Sequence, residues 1–171
     1  MDTSVWQPVI SILDSTLRDG AQGEGISFSI KDKIHIVKAL DELGVTYIEA
    51  GNPGSNPKDE AFFNELSNIK LNNSKIVAFG ATRRKNVKCS EDIVFNKLLN
   101  PNCSTVVIFG KCWDFHVTDI IKTSLKENLL MIEESCRYAC KKGKEVIFDA
   151  EHFFDGYKEN QNYALQCIEA A

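Results

Sequence analysis

Three features of the 171-residue sequence predict a parallel α/β fold. Short runs rich in Val and Ile recur five times, and each is followed by a helix-forming stretch. The runs also lack the apolar/polar alternation of a half-exposed sheet, as expected of strands covered on both faces. They read "PVISILDST", "VTYIEAG", "KIVAFGAT", "STVVIFGK" and "EVIFDAEH", and begin near positions 9, 45, 75, 105 and 145. One strand-helix unit therefore takes about 34 residues, the spacing of a βα repeat.

The first run, with Val9, Ile10, Ile12 and Leu13, predicts a buried strand. A helix follows from Ile30 to Leu43, with Ser29 as N-cap, Ile36, Leu40 and Leu43 on one face, and Gly44 as its stop. It leads directly into the second strand. Asn56 and Pro57 open the second helix, because asparagine caps and proline suits the first turn; Phe62, Phe63 and Leu66 give it side chains to bury. Ser90 is the expected cap of the third. The fourth begins with the capping-box pattern Ser124 to Glu127, carries Leu129, Ile132, Cys136 and Cys140 as its buried stripe, and ends at Gly143. A fifth begins near Gln161.

Composition narrows the function. The chain is 43% hydrophobic and 26% charged, with a net charge of −4 and dispersed lysines, which argues against a phosphate-backbone binder. The start "MDTSVWQP" has neither a basic segment nor a signal-like apolar stretch, and no run approaches a membrane span, so a cytoplasmic location is expected. The six cysteines form no C-x-x-C pair and no zinc-ribbon spacing. They are expected to be reduced packing residues, Cys136 and Cys140 included.

Two architectures compete. An open doubly wound sheet suits the length, whereas eight units of this repeat would need about 270 residues, near the roughly 250 typical of a (β/α)8 TIM barrel. The strand ends favour the barrel. The glycines of "DGAQGEG" do not have the G-x-G-x-x-G spacing that a dinucleotide-binding sheet carries after its first strand. Polar residues gather instead where the strands end: Arg18, Asp19 and Gln22, then Glu49 and Asn52, Thr82 and Arg83, and finally Asp149 and Glu151. A barrel keeps its chemistry at those ends.

The stretch "STLRDGAQGEGISFSIKDKIHIVKALDELGVTYIEAGNPGSNPKD" resembles the start of the acyl-CoA-condensing barrel enzymes. These include 2-isopropylmalate, homocitrate and citramalate synthases, relatives of 3-hydroxy-3-methylglutaryl-CoA lyase. The T-L-R-D-G-x-Q signature carries the resemblance, which extends over nearly the whole chain; "GNPGSNPKD" and "FDAEHFFDGYK" look most like the bacterial citramalate synthase branch. What it implies is a metal-dependent acyltransferase joining acetyl-CoA to a 2-keto acid, pyruvate in that branch, on a route to isoleucine. It further implies that residues 1–171 are the N-terminal part of a pyruvate carboxyltransferase-like catalytic barrel, about five of eight βα units. The rest of the barrel and any C-terminal regulatory domain are expected to lie outside them. A homodimer is implied for the full-length protein, with no nucleic-acid or membrane partner.

Such a condensation develops negative charge on oxygen, which a hard cation and a guanidinium can stabilise. Arg18 matches the family's ketone-polarising arginine, and Asp19 its metal-ligand aspartate, suited to Mg²⁺ or Mn²⁺, with Zn²⁺ a further alternative. Gln22 matches the glutamine that orients substrate or metal-bound water. Glu151 matches a glutamate near the keto acid, there to hold a proton or orient Arg18. His152, its neighbour, points to the opposite face if Glu151 faces the mouth. Glu49 sits in an apolar run, and a buried carboxylate needs a partner, for which Arg18 is the candidate. Thr82 joins Arg18, Gln22 and Glu49 as a substrate-binding candidate. Arg83 and Arg84 read either as attractors of anionic substrates or as a solvated basic turn.

The family completes its metal site with a His-x-His pair, and here the histidines stand singly at 35, 116 and 152. These residues alone are therefore expected to bind metal weakly and to turn over little. A 2-isopropylmalate or homocitrate synthase is the enzyme alternative; a non-catalytic fragment or interaction module, with unpaired edge strands open to association, is the other.

Overall fold

The computed structural model describes residues 10–171, which form five parallel strands alternating with helices. The strands are β1 (Leu13–Asp14), β2 (Tyr47–Gly51), β3 (Lys75–Ala81), β4 (Thr105–Lys111) and β5 (Glu145–Glu151). Their order in the sheet is their order in the chain. A doubly wound sheet reverses direction at a switch point and this one does not, so the five units form a half-barrel, part of a (β/α)8 fold. No helix among the described residues is long and apolar enough to cross a membrane.

Strand parity sorts the side chains. Even-numbered residues such as Ile48, Ala78, Val106 and Ile108 pack in the main core, with Val37 of α1 (Ile30–Leu43), Phe62 of α2 (Pro57–Leu66) and Phe95 of α3 (Ile93–Leu99). Odd-numbered residues face the barrel interior. Its bottom layer is polar: Glu145 accepts from the Tyr47 hydroxyl at 2.9 Å, Lys75 at 3.0 Å and the Thr105 hydroxyl at 2.8 Å. The Lys75 hydrogen bond leads these three in lowering the Glu145 pKa from the ordinary 4.5 to about 2. A carboxyl depressed in the folded state stabilises it above the unfolded value, and that contribution fades as pH falls toward the folded one. The urea midpoint should therefore drop between about pH 5 and pH 2, and Glu145→Gln should flatten part of that drop.

The helices start and stop largely where local chemistry directs. Ser29 and Asp32 make a reciprocal capping box on α1, and Gly44 ends it at φ 82°. Asn56 caps α2 through Lys58 N. Other expectations need correction. The predicted first strand shrinks to two residues, and Ile10 and Ile12 are 83% and 58% exposed, because β1 is an edge strand paired only with β2; Pro8 and Val9 lie outside the described residues. Leu43 is exposed, while Asp41 is buried and accepts the amide N–H groups of Asn72, Asn73 and Ser74.

The third helix is capped by Asp92, not Ser90, since Asp92 accepts from both Val94 N and Phe95 N. On α4 (Leu125–Lys141), Ser124 accepts from Glu127 N, but the Glu127 carboxylate turns away to Arg83, so only half the capping box forms. Cys140 is exposed, because the 3.6-residue period moves the buried stripe from Cys136 to Ala139. The other five cysteines are buried thiols. Before α6 (Gln161–Ala170) stands α5 (Phe153–Glu159), a helix the sequence did not suggest.

Candidate active site

The turn after β1 delivers the first functional side chains. The Ser15 carbonyl accepts from both Arg18 N and Gly20 N at 3.1 Å, which folds the chain back over the strand end. Leu17 is thereby buried and Arg18 left 22% exposed at the mouth. Arg18 is fixed on three sides. Its Nε donates to Glu49 Oε2 at 2.8 Å, its Nη1 donates to Asp19 Oδ1 at 3.2 Å, and its guanidinium lies 3.9 Å above the Phe79 ring. The ring contact is a cation–π interaction that also keeps the guanidinium plane in one orientation. Only Nε and Nη1 have partners among the described residues, which leaves Nη2 for a ligand.

Glu49 is 2% exposed. Burial pushes its carboxyl above the ordinary glutamate range, and the Arg18 hydrogen bond and charge oppose that rise. The expected Glu49–Arg18 partnership is thus present. Phe79 stacks on Phe109 with centroids 5.1 Å apart, and Lys111 Nζ stands 5.7 Å from the Phe109 centroid. Lys111 also pairs with Glu151 Oε2 at 2.5 Å, a contact with ion-pair but not hydrogen-bond geometry. An unbroken row of contacts therefore crosses the mouth from Glu49 through Arg18, Phe79, Phe109 and Lys111 to Glu151.

Two cavities open along this row. The first, about 260 Å³, is lined by Arg18, Gln22, Asn52, Asp59 and Phe79. Its far wall is rigid: Asp59 accepts from Asn52 N at 2.9 Å and from Lys33 at 2.9 Å, and packs so close to Gly51 that any Cβ there would lie 2.5 Å from its carboxyl carbon. The second, about 500 Å³, lies between the ends of β3 and β4 and is lined by Thr82, Arg84, Lys85, Phe109 and Lys111.

Arg18, Gln22 and Glu49 thus come together, with Asp19 at the edge and 65% exposed. Thr82 does not join them. It lies one residue past the end of β3, where its amide donates to Phe109 O and it lines the second cavity. Glu151 is reached only through Phe109 and Lys111. His152 adopts φ 57° and places its ring 4.4 Å from that of His116 and 6.1 Å from that of Trp113, away from the row.

Arg83 is not part of a solvated turn, although it lines the second cavity. It is 4% exposed, donating to Glu127 at 2.7 Å and Glu134 at 2.6 Å. It ties the β3 end to α4, and Arg84 is engaged by Asp92. Residues that sequence reasoning left unassigned are Phe79, Lys111 and Asp149. Parity would have found them: Phe79 and Phe109 share the interior face with Glu49, and Asp149 shares it with Glu151.

Among the described residues no group of three or more His, Cys, Asp and Glu could hold a metal ion. Asp19 offers one exposed carboxylate, and the histidines lie on other elements. These residues by themselves do not make a metal centre.

Comparison with known proteins places this geometry. The HMGL-like family is matched over residues 9–171. The chain is 54% identical over 162 residues to the (R)-citramalate synthase of Aquifex aeolicus and 51% identical over 162 residues to that of Sulfolobus acidocaldarius, covering 95% of this chain and 31% of each relative. It is 31% identical over 165 residues to the homocitrate synthase of Saccharolobus islandicus, covering 95% of this chain and 33% of that protein. The chain thus spans about a third of the length of these relatives. Among solved structures, the HMG-CoA lyase of Bacillus subtilis superposes with a TM-score of 0.70 at 19% identity, over 94% of this chain and 53% of that one. The HMG-CoA lyase of Brucella melitensis gives 0.68 at 15% identity, over 95% and 58%. These two likenesses concern the fold.

Proposed function

The chain belongs to the HMGL-like family, and on that premise we propose that the protein carrying it condenses acetyl-CoA with pyruvate as a citramalate synthase. Identity above 50% to two (R)-citramalate synthases supports the substrate choice. The observation that carries the chemistry is the Arg18 guanidinium, immobilised by Glu49 and Phe79 at the rim of the 260 Å³ cavity with Nη2 open.

The keto acid enters that cavity with its ketone oxygen toward Arg18. As the new carbon–carbon bond forms, charge grows on that oxygen, and a donor already fixed in place stabilises it without reorganisation. Gln22, on the same wall, orients the substrate's carboxylate. Glu49 acts through Arg18 as a positioning residue, and Glu151 faces the reacting end from β5 as a proton acceptor. Thr82 contributes from the second cavity, toward the acyl donor. Among the described residues Asp19 is the one that would ligate a divalent cation, with its remaining ligands to come from elsewhere; when bound, that cation would supply Lewis-acid polarisation. Residues 1–171 then form the N-terminal part of the catalytic barrel. The complete protein is read as a cytoplasmic homodimer on a route to isoleucine, and these residues alone as nearly inactive.

Homocitrate or 2-isopropylmalate synthesis would use the same polarising groups and a different pocket. Supplying the complete protein with acetyl-CoA and equal pyruvate, 2-oxoisovalerate and 2-oxoglutarate separates them. Pyruvate should be consumed first, and a preference for either larger acid would remove the citramalate reading.

A further inference from the structure

The far wall of the 260 Å³ cavity is built around an ion pair. Lys33 Nζ of α1 donates to Asp59 Oδ1 of α2 at 2.9 Å, and the two side chains are only 13% and 11% exposed. Both residues line that cavity and also a cleft of about 830 Å³ between the starts of α1 and α2, so the pair stands as a partition between the two spaces. Asp59 is committed twice over, since its second oxygen accepts from Asn52 N and its carboxyl packs against Gly51. Lys33 is committed once: among the described residues Asp59 is the hydrogen-bond partner of its ammonium, and an ammonium carries three donors. The neighbouring side-chain acceptors serve their own turns, Asn52 Oδ1 taking Gly54 N and Ser55 N, and Asn56 Oδ1 taking Lys58 N.

Resting on the condensing reaction proposed above, we propose that the Lys33–Asp59 pair determines keto-acid specificity: it confines the cavity to a 2-keto acid with neither a second carboxylate nor a branched side chain. A second carboxylate entering here meets an ammonium whose charge Asp59 already balances, beside the Asp59 carboxylate itself, so it loses water for no net attraction. A branched apolar side chain would strip water from the same pair without replacing a hydrogen bond. A lone methyl group makes the smallest demand of either kind. Selection of this sort works by what the wall refuses as much as by what it binds.

Asp59→Asn in the complete protein removes the balancing charge and keeps the outline. The amide oxygen stays with the backbone N–H of Asn52, which turns the amide NH₂ toward Lys33 and sets donor against donor. The ammonium then leaves the pair and is offered to the cavity. Assays with pyruvate, oxaloacetate, 2-oxoglutarate and 2-oxoisovalerate should show kcat/KM for at least one of the two dicarboxylates rising about 10- to 100-fold relative to pyruvate, the worth of one charge-assisted hydrogen bond. Adding Lys33→Met to Asp59→Asn removes both charges; the dicarboxylate gain should vanish, and kcat/KM for 2-oxoisovalerate should rise about tenfold relative to pyruvate.

A pair that only held the two helices together would lower every kcat/KM alike and leave these ratios where they were. The proposal is overturned if the dicarboxylate ratio of Asp59→Asn stays within about threefold of wild type, if the gain survives Lys33→Met, or if the 2-oxoisovalerate ratio of the double variant does not move. Should Asp59→Asn fail to fold, the double variant, which leaves no unpaired charge, decides through that last ratio. Wild-type protein that condenses no keto acid overturns the functional reading and this inference together; wild type that condenses pyruvate, beside variants with unchanged ratios, overturns this inference alone.

Discussion

Replacing Arg18 by lysine in the complete protein is expected to lower condensing turnover by about 10²- to 10³-fold, the usual cost of removing one fixed donor to a developing oxyanion. The charge survives this change and the geometry does not. An ammonium on a flexible stem cannot donate to Glu49 from one nitrogen, lie flat on Phe79 and still present a second nitrogen to a ketone in a set plane. Because lysine still gives the buried Glu49 carboxylate a cation, the urea midpoint should change far less than the turnover. Steady-state kinetics beside an unfolding curve check both halves. Equal losses of rate and stability would mean that Arg18 is a structural ion-pair member and no more.

The largest loss of stability is expected at Arg83. Arg83→Ala removes a nearly buried guanidinium that donates to Glu127 and Glu134 and to the Arg84 carbonyl. Breaking a buried pair by deleting one partner costs about 3 to 5 kcal/mol because the other charge is left uncompensated. Glu134 is half exposed and can return to water, so a loss on the order of 3 kcal/mol is expected, read as a lower urea midpoint. Loss of substrate affinity without loss of stability would restore the substrate-attracting role.

The contrast between these arginines explains how much was legible. Arg18 stood within a motif, and a lone glutamate stood in an apolar strand; a buried carboxylate demands a cation, and the sequence offered one at a strand end. Arg83 looked equally polar and equally terminal, but its partners lie 44 and 51 residues away on α4, and no local pattern announces contacts at that distance. Helix α1 was readable to the residue because Ser29 and Gly44 act within their own turns. The α5 boundary was not, since its N-cap, His152, holds a left-handed backbone at φ 57° that no local sequence pattern signals. Thr82, one residue past the end of β3, lines the second cavity and not the first, a placement no local pattern announces. Asp149, singled out at a strand end beside Glu151, was given no role because the family motif drew attention to Glu151.

A crystal structure of the complete protein with pyruvate bound tests the central claim most directly. The ketone oxygen should lie within hydrogen-bond reach, about 3 Å, of the Arg18 guanidinium, with the carboxylate toward Gln22. Pyruvate seated instead between β3 and β4, against Lys111 and Arg84 and out of reach of Arg18, would contradict it.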